Sequence, residues 1–349
     1  MAYTNIKKSS DYFNTVTYSG NGSNGHAISG LDFQPDWVWL KNRNTGNTHE
    51  AFDSVRGATK TLFPDRADAE YVNSTGSLTS FNSDGFTVGG GDGANKSGSG
   101  IASWNWKAGT TSIPSGSSTA PTAVSINATA GFGIYEYTGT GVTGRTLAHG
   151  LNSAPKMMIV KRLNSTRNWG VYHSSLANTE YLELNTTTAK QTGNWWGNTT
   201  PTSSLLYLGN DGATNGSSDP FIMYAFADVQ GYSKFGSYVG NGSATNGTFI
   251  YTGFSPAFVM VKRTDGANNW NIKDNRRNNA STSFNINPRN ATLLPNTSDA
   301  DQDANALDFL SNGFKNTSTG NDVNASGGNY IYMAFAEQPL VGDNPATAR

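Results

Sequence analysis

Histidines and carboxylates are the residues in this 349-residue chain that could do acid–base or metal chemistry. The histidines are His26, His49, His149 and His173. They form no H-E-x-x-H or other ligand spacing, and no G-x-S-x-G elbow or P-loop is present. Glycoside hydrolysis needs two carboxylates that flank a cleft. Glu50 with Asp53, or Glu136 with Glu180, would qualify, but neither pair recurs along the chain. We therefore predict no enzyme, no catalytic residues, no metal and no cofactor.

An acidic stretch near the C-terminus, "DADQDANALD" at 299–308, spaces its carboxylates two residues apart, as a calcium loop does. It lacks the glycine at the sixth position and the glutamate at the twelfth that such a loop requires. We interpret it as a solvated acidic loop. Its second half, Asp303 to Leu310, is the best helix candidate in the chain, although it could also lead into a strand.

A lysine occurs six residues after a proline and an apolar run in three places, in "PDWVWLK", "PKMMIVK" and "PAFVMVK". These lysines are Lys41, Lys161 and Lys262, and Arg162 and Arg263 follow two of them directly. They could bind an acidic ligand. Alternatively, each caps a buried strand at the solvent boundary while its stem covers apolar surface. Threefold recurrence favours the structural interpretation.

Aromatic side chains are the other candidate ligand contacts. Trp169 and Trp270 lie eight residues after their lysines, and His49 takes this place in the first copy. Such residues could stack on a sugar, but large aromatics more often fill cores, so we favour the core. The adjacent Trp195 and Trp196 would point to opposite faces of an extended segment. One of them is therefore expected to be exposed or to contact an interface or ligand.

The lysine motif belongs to a unit of about 100 residues that occurs three times. Each copy opens with a tyrosine–glycine turn and closes with a strand, "IASWNWKA", "FIMYAFAD" or "YIYMAFAE". Trp104 and Trp106 share one face of the first closing strand, which indicates core. Short apolar runs between Gly, Asn and Pro predict an all-β protein of three tandem β-sandwich modules of the jelly-roll or lectin-like kind. The predicted segments are 1–108 for module 1, 109–129 for a Ser/Thr/Pro linker, 130–228 for module 2, and 229–349 for module 3 with a short polar tail.

Composition restricts the partners. Charged residues make up 14% of the chain and the net charge is −1, which disfavours nucleic acid. No stretch reaches the 18 apolar residues of a membrane span, the start has no signal-peptide core, and cysteine is absent. The flexible linker predicts that module 1 hangs freely unless another subunit holds it. The short join at 229–231 predicts that modules 2 and 3 form a stiff pair.

The closing segment "YIYMAFAEQPLVGDNPATAR", together with "GFSPAFVMVKR" and the tyrosine–glycine turn, resembles a repeat in structural proteins of marine tailed bacteriophages. These proteins are labelled tail-fibre, tail or lectin-like and carry a domain of unknown function. The resemblance covers about Tyr12 to Leu340. Module 1 departs from it with "SWNWKA" and with His49 in the tryptophan position, so its partner could differ. The family offers no catalytic residues to carry over.

The resemblance implies a non-enzymatic virion structural protein, assembled in the host cytoplasm and exposed on the particle surface as a tail fibre, spike or capsid decoration. Its expected partners are other virion proteins and copies of itself, with a trimer favoured because surface appendages close around symmetry axes. The alternative is a lectin-like adhesin that binds a host-surface glycan. A polysaccharide depolymerase is disfavoured because the long β-helical repeat usual in such enzymes is absent.

Overall fold

The fold comes from a computed structural model of the chain. The described residues are 4–277, 287–339, 341 and 345. Nearly all regular elements among them are β-strands, arranged in several antiparallel sheets, which confirms the all-β class. A 3-10 turn at Ser9–Asp11 and a four-residue helix α1 at Asp92–Asn95 complete the described elements. No described helix has the length and apolar character needed to cross a membrane.

The first copy of the unit, called repeat 1, contains nine strands. They are β1 Phe13–Ser19, β2 His26–Ser29, β3 Trp37–Asn42, β4 Glu50–Asp53, β5 Lys60–Thr61, β6 Tyr71–Val72, β7 Leu78–Asn82, β8 Gly85–Val88 and β9 Gly100–Trp106. The main sheet has the order β1-β9-β3-β4, a second sheet has the order β2-β8-β7, and β5 pairs with β6.

Repeat 2 follows with nine more strands. They are β10 Ala123–Asn127, β11 Phe132–Thr138, β12 Arg145–Ala148, β13 Met157–Arg162, β14 Gly170–His173, β15 Glu180–Glu183, β16 Gln191–Thr192, β17 Leu205–Leu208 and β18 Pro220–Phe226. Its main sheet has the order β10-β11-β18-β13-β14-β15-β16, and β12 pairs with β17.

Repeat 3 completes the described chain. Its strands are β19 Ser233–Val239, β20 Phe249–Tyr251, β21 Phe254–Arg263, β22 Trp270–Asp274, β23 Arg289–Thr292, β24 Gln302–Leu310, β25 Gly313–Asn316 and β26 Asn329–Pro339. The main sheet has the order β19-β26-β21-β22, and the second has the order β20-β25-β24-β23. Strand β24 occupies the stretch that we considered for a helix or for the lead-in to a strand, so the strand alternative holds.

One strand order therefore occurs three times: opening strand, closing strand, strand after the proline, and strand of the His/Trp position. The predicted inner position of "GFSPAFVMVKR" is confirmed, because β21 lies between β26 and β22. The registers make Trp106, Phe226 and Phe335 equivalent, since each pairs with the residue two places after the repeated proline.

The main sheets of the three repeats share one hydrophobic core. Trp106, Phe226 and Phe335 meet there as a triangle, with ring centroids 6.4, 6.0 and 5.7 Å apart. Equivalent side chains that touch one another pairwise define a pseudo-threefold axis within a single chain. Three further clusters lie inside the individual repeats, each between a main and a second sheet.

This arrangement corrects two expectations. The predicted linker is partly ordered sheet: β10 pairs with β11 along its length, and Thr110 bridges to Ile126. Repeat 1 also does not hang freely, because Trp37 stacks on Tyr224 of repeat 2 with ring centroids 4.4 Å apart. Composition indicated flexibility for the linker, but the open edge of β11 supplied backbone partners that order it.

Candidate functional site

The position eight residues after each repeated lysine joins neighbouring repeats. Each residue there is buried and faces a backbone carbonyl of another repeat. The three contacts are Trp169 Nε1 to the Phe63 carbonyl at 3.0 Å, Trp270 Nε1 to the Glu183 carbonyl at 3.0 Å, and His49 Nε2 to the Leu294 carbonyl at 3.1 Å. The three acceptors are equivalent, since each follows the leucine in "TLFP", "YLEL" or "TLLP". The core interpretation of these residues is confirmed, and their role between repeats is new.

A second set of equivalent contacts uses backbone groups alone. The donors and acceptors are the Glu70 N–H to the Leu163 carbonyl at 2.8 Å, the Lys190 N–H to the Thr264 carbonyl at 2.9 Å, and the Asp301 N–H to the Arg43 carbonyl at 2.8 Å. Each repeat donates to the next and accepts from the previous one. Head-to-tail contacts of this kind form a ring when the rotation closes, and the contact of repeat 3 with repeat 1 closes it.

A third set consists of buried side-chain hydrogen bonds between repeats. The Tyr224 hydroxyl donates to Asp53 Oδ2 at 2.7 Å between repeats 2 and 1. Trp104 Nε1 donates to Asp274 Oδ2 at 3.0 Å between repeats 1 and 3.

Between repeats 3 and 2 both partners of this third set change. The side chain of Met333, the equivalent of Tyr224, has no N–H or O–H group to donate. His173, the equivalent of Asp53, lies with Nε2 3.2 Å from the Tyr332 carbonyl. A hydrogen bond between the two repeats is therefore retained, but here repeat 2 donates and repeat 3 accepts.

Buried ion pairs accompany the two carboxylates. Arg56 Nε lies 2.6 Å from Asp53, Arg277 Nε lies 2.6 Å from Asp274, and all four side chains are fully buried. Each arginine reaches a second carboxylate, Arg56 to Glu70 and Arg277 to Asp301. Repeat 2 has His173, Leu176 and Lys190 at these three positions. The repeated D-x-x-R spacing was visible in the sequence and would have indicated these pairs.

The repeated lysines are more deeply buried than a solvent-boundary cap. Lys41 Nζ donates to the Asn42 carbonyl at 2.7 Å, and Lys161 and Lys262 bond the next carbonyl in the same way at 2.8 Å. Burial lowers the pKa of each lysine from 10.5 to about 8. These ammonium groups therefore hold the turn after the strand.

The neighbouring arginines pair with loop carboxylates instead of lining a common site. Arg162 lies 2.6 Å from Asp219, and Arg263 lies 2.7 Å from Asp265. Arg43 reaches Asp301 of repeat 3 at 2.6 Å. Asp301 thus belongs to the ring rather than to a solvated loop, and the described residues contain no group of three or more potential metal ligands.

Trp195 and Trp196 are both buried, with 5% and 0% of their surface exposed, which excludes the exposed alternative and leaves contact with an interface or ligand. The two residues follow β16 in a bend, and Gly197 has a φ of 60°. Side-chain alternation holds only for extended backbone. Trp196 Nε1 donates to the Glu180 carbonyl at 3.1 Å.

Trp195 nevertheless forms one wall of a cleft of about 400 Å³ between repeats 2 and 1. Tyr181 stacks on it, with ring centroids 3.7 Å apart and planes 11° apart. Burial, Glu183 and Asp211 together raise the pKa of Tyr181. The polar lining residues are Thr166, Arg167, Asn168, Glu183 and Asp211.

A single glycine makes room for this wall. A Cβ on Gly170 would lie 2.7 Å from Trp195 Cζ3, so a larger residue would displace the indole. Repeat 1 has Glu50 at this position, and burial raises the pKa of that carboxyl to about 7. Repeat 3 has Asn271, which accepts from Asn305 at 3.0 Å. Position 170 and Trp195 lie far apart in sequence, so their pairing gave no local signal.

Comparison with known proteins gives one family. A family model described as a domain of unknown function, DUF7483, matches residues 8–339. The match extends across all three repeats, so the chain belongs to this family and the family unit contains the whole ring. No curated protein and no solved structure matches the chain.

Proposed function

We propose that this member of the DUF7483 family is a non-enzymatic structural protein of a bacteriophage virion, displayed on the exterior as a tail fibre, spike or capsid decoration. The closed ring of contacts between repeats carries the proposal. The buried polar groups at the interfaces hold the repeats together, since Asp53, Asp274 and His173 all form hydrogen bonds with neighbouring repeats. The resemblance to tailed-phage structural repeats supplies the virion setting.

Within this proposal, each repeat is a β-sandwich module of the jelly-roll or lectin-like kind. The support is that the main and second sheets of a repeat share their own core cluster. In repeat 1, Val38 and Leu40 of β3 pack in one cluster with Phe86 and Val88 of β8. Corresponding clusters lie in repeats 2 and 3.

We propose further that one chain supplies the threefold unit that we expected from a trimer. Trp106, Phe226 and Phe335 occupy the axis that three separate chains would otherwise share. Larger assembly then depends on contacts with other virion proteins through the outer faces. Light scattering of the purified chain measures this directly: a monomer supports the proposal, and an obligate trimer contradicts it.

The virion assignment is tested on particles. Antibodies against the purified chain should label the exterior of intact particles in electron micrographs, and peptides of the chain should appear in the proteome of purified virions. If washed particles lack the protein, the assignment fails.

A glycan-binding role is the second candidate, and the cleft beside Trp195 supports it. Stacked aromatics with planar polar groups are a lining that suits sugar rings, which present apolar faces and hydroxyl edges. The charged lining groups are Arg167, Glu183 and Asp211, a net negative set that favours neutral or amino sugars over acidic ones. The glycan would be a host-surface attachment point.

A glycan array with the intact protein tests this candidate. Binding should weaken when Tyr181→Ala or Arg167→Ala opens the cleft, and should persist in Tyr207→Ala, a half-buried tyrosine of the same repeat outside the cleft lining. Trp195→Ala is a poor probe because it leaves a hole in the core. No binding to any glycan, or equal binding by all three variants, would remove the candidate.

A further inference from the structure

Repeat 3 carries an open strand edge with exposed aromatic side chains. In β20, Phe249 and Tyr251 are 45% and 57% exposed, while Ile250 between them is buried. The Thr248 carbonyl accepts from the Asn316 N–H of β25, and the Thr252 N–H donates to the Asn312 carbonyl just before β25. This pattern directs the N–H groups of Phe249 and Tyr251 away from the sheet. Both outward N–H groups lack a partner among the described residues. Such an edge is a template for pairing with another chain.

A groove lies beside this edge. Its volume is about 480 Å³, and its lining includes Asp228, Lys234, Tyr251, Thr252 and Gly253. Lys234 Nζ pairs with Asp228 at 3.1 Å, so the two charges of the groove neutralise each other.

Repeat 2 shows what occupies the equivalent place. Leu147 of β12 and Ile250 of β20 are equivalent inward residues, each paired with an apolar residue of the neighbouring strand. Thr146 and Ala148 therefore correspond to Phe249 and Tyr251. Likewise Gly150 and Gly253, each three residues further on, have positive φ of 65° and 85°.

The segment that connects repeats 1 and 2 covers that edge. Ser118 Oγ accepts from the Thr146 N–H at 2.9 Å, and Ser117 Oγ accepts from the Ala148 N–H at 2.7 Å. Pro114 lies over the glycine, since a Cβ on Gly150 would be 3.1 Å from Pro114 Cγ. Repeat 3 has no such cover among the described residues, because its join to repeat 2 is only a few residues long.

We propose that the edge of β20 and its groove form a docking site for an extended, uncharged peptide segment of another polypeptide, with a proline followed by paired serines or threonines. The hydroxyl oxygens of the peptide accept hydrogen bonds from the N–H groups of Phe249 and Tyr251, and the proline of the peptide enters the groove over Gly253. The segment 110–127 is the template for this chemistry, and it contains no charged residue. The proposal does not depend on the virion assignment or on the glycan cleft.

The test uses the full chain and a fluorescent synthetic peptide with the sequence of residues 110–127. The intramolecular segment already fills repeat 2, so added peptide should bind the open edge of repeat 3. Anisotropy titration is expected to show saturable binding. A peptide with alanine at both serine positions 117 and 118 should bind about tenfold more weakly, since it lacks two hydrogen bonds.

Protein variants locate the site. Tyr251→Ala should weaken binding about fivefold or more, whereas Tyr71→Ala should not, although Tyr71 is 56% exposed on the short strand β6. Hydrogen exchange gives a second readout: bound peptide should slow the amides of Phe249 and Tyr251. No saturable binding at millimolar peptide, or binding that Tyr251→Ala leaves unchanged, would overturn the proposal. Concentration-dependent self-association lost in Tyr251→Ala would overturn it too, since the occupant would then be a second copy.

Discussion

Two kinds of interface close the ring. Between repeats 1 and 2, and between repeats 3 and 1, a carboxylate with a buried arginine accepts the side-chain donor of the neighbouring repeat. Between repeats 2 and 3, His173 donates to a backbone carbonyl, with Leu176 in the place of the arginine. The third position of this set changes as well, since repeat 2 has Lys190 where repeats 1 and 3 have Glu70 and Asp301. All three positions therefore change together. The interface therefore requires that its buried polar groups all find partners, but it does not require that these groups be charged.

Breaking one charged interface should have the largest effect. Arg277→Leu leaves Asp274 buried without its partner and should lower the free energy of unfolding by about 3–5 kcal/mol, measured by urea denaturation. The control is Arg276→Leu, because Arg276 is exposed. The double variant Asp274→His with Arg277→Leu copies two of the three repeat 2 residues and should recover part of the loss. An equal loss of unfolding free energy in Arg277→Leu and Arg276→Leu would contradict the account.

The neutral interface should instead be sensitive to acid. His173 Nδ1 accepts from the Ser175 N–H, so protonation breaks a buried contact. Burial lowers the pKa of His173 from 6.5 to about 4. The unfolded chain therefore binds the proton first, and stability falls as the pH drops from 6.5 towards 4, by up to about 3 kcal/mol.

This acid effect is isolated as the difference between the wild type and His173→Gln, because Glu50 acts in the opposite direction. The pKa of Glu50 is raised to about 7, so its carboxyl adds stability as the pH falls. Denaturation at pH 7 and pH 4.5 should show the wild type losing stability relative to the variant. Parallel curves would exclude His173 as the source.

The tryptophan contact should have a smaller effect. Trp270→Phe removes the indole N–H that bonds the Glu183 carbonyl and should cost about 1 kcal/mol more than Trp37→Phe. Trp37 is the matched control because it is equally buried and its Nε1 has no hydrogen-bond partner among the described residues. Equal losses would show that the contact contributes packing alone.

The lysines should change stability only at alkaline pH. Their folded pKa of about 8 lies below the unfolded value, so the unfolded chain binds more protons between pH 8 and 10. Stability should rise with pH in this window, by up to about 3 kcal/mol per lysine. Lys161→Met should flatten the rise in thermal melts. An unchanged slope would indicate a normal pKa.

The sequence predicted the repeat, the all-β class and the inner strands, because these depend on local periodicity and on a proline that recurs at fixed spacing. It did not predict the ring. The acceptors of Trp169, Trp270 and His49 are backbone carbonyls, which leave no side-chain pattern. The sequence also did not predict the burial of Trp195, because this burial depends on the absence of a side chain at Gly170.

The closure of repeat 1 onto both neighbours is the central claim, and three backbone amides report on it. Glu70, Lys190 and Asp301 each donate to another repeat. Residue-resolved hydrogen exchange of the intact chain should show all three amides protected to a similar degree. Protection of Lys190 alone, with Glu70 and Asp301 exchanging at unstructured rates, would mean that repeat 1 is free and that no ring exists.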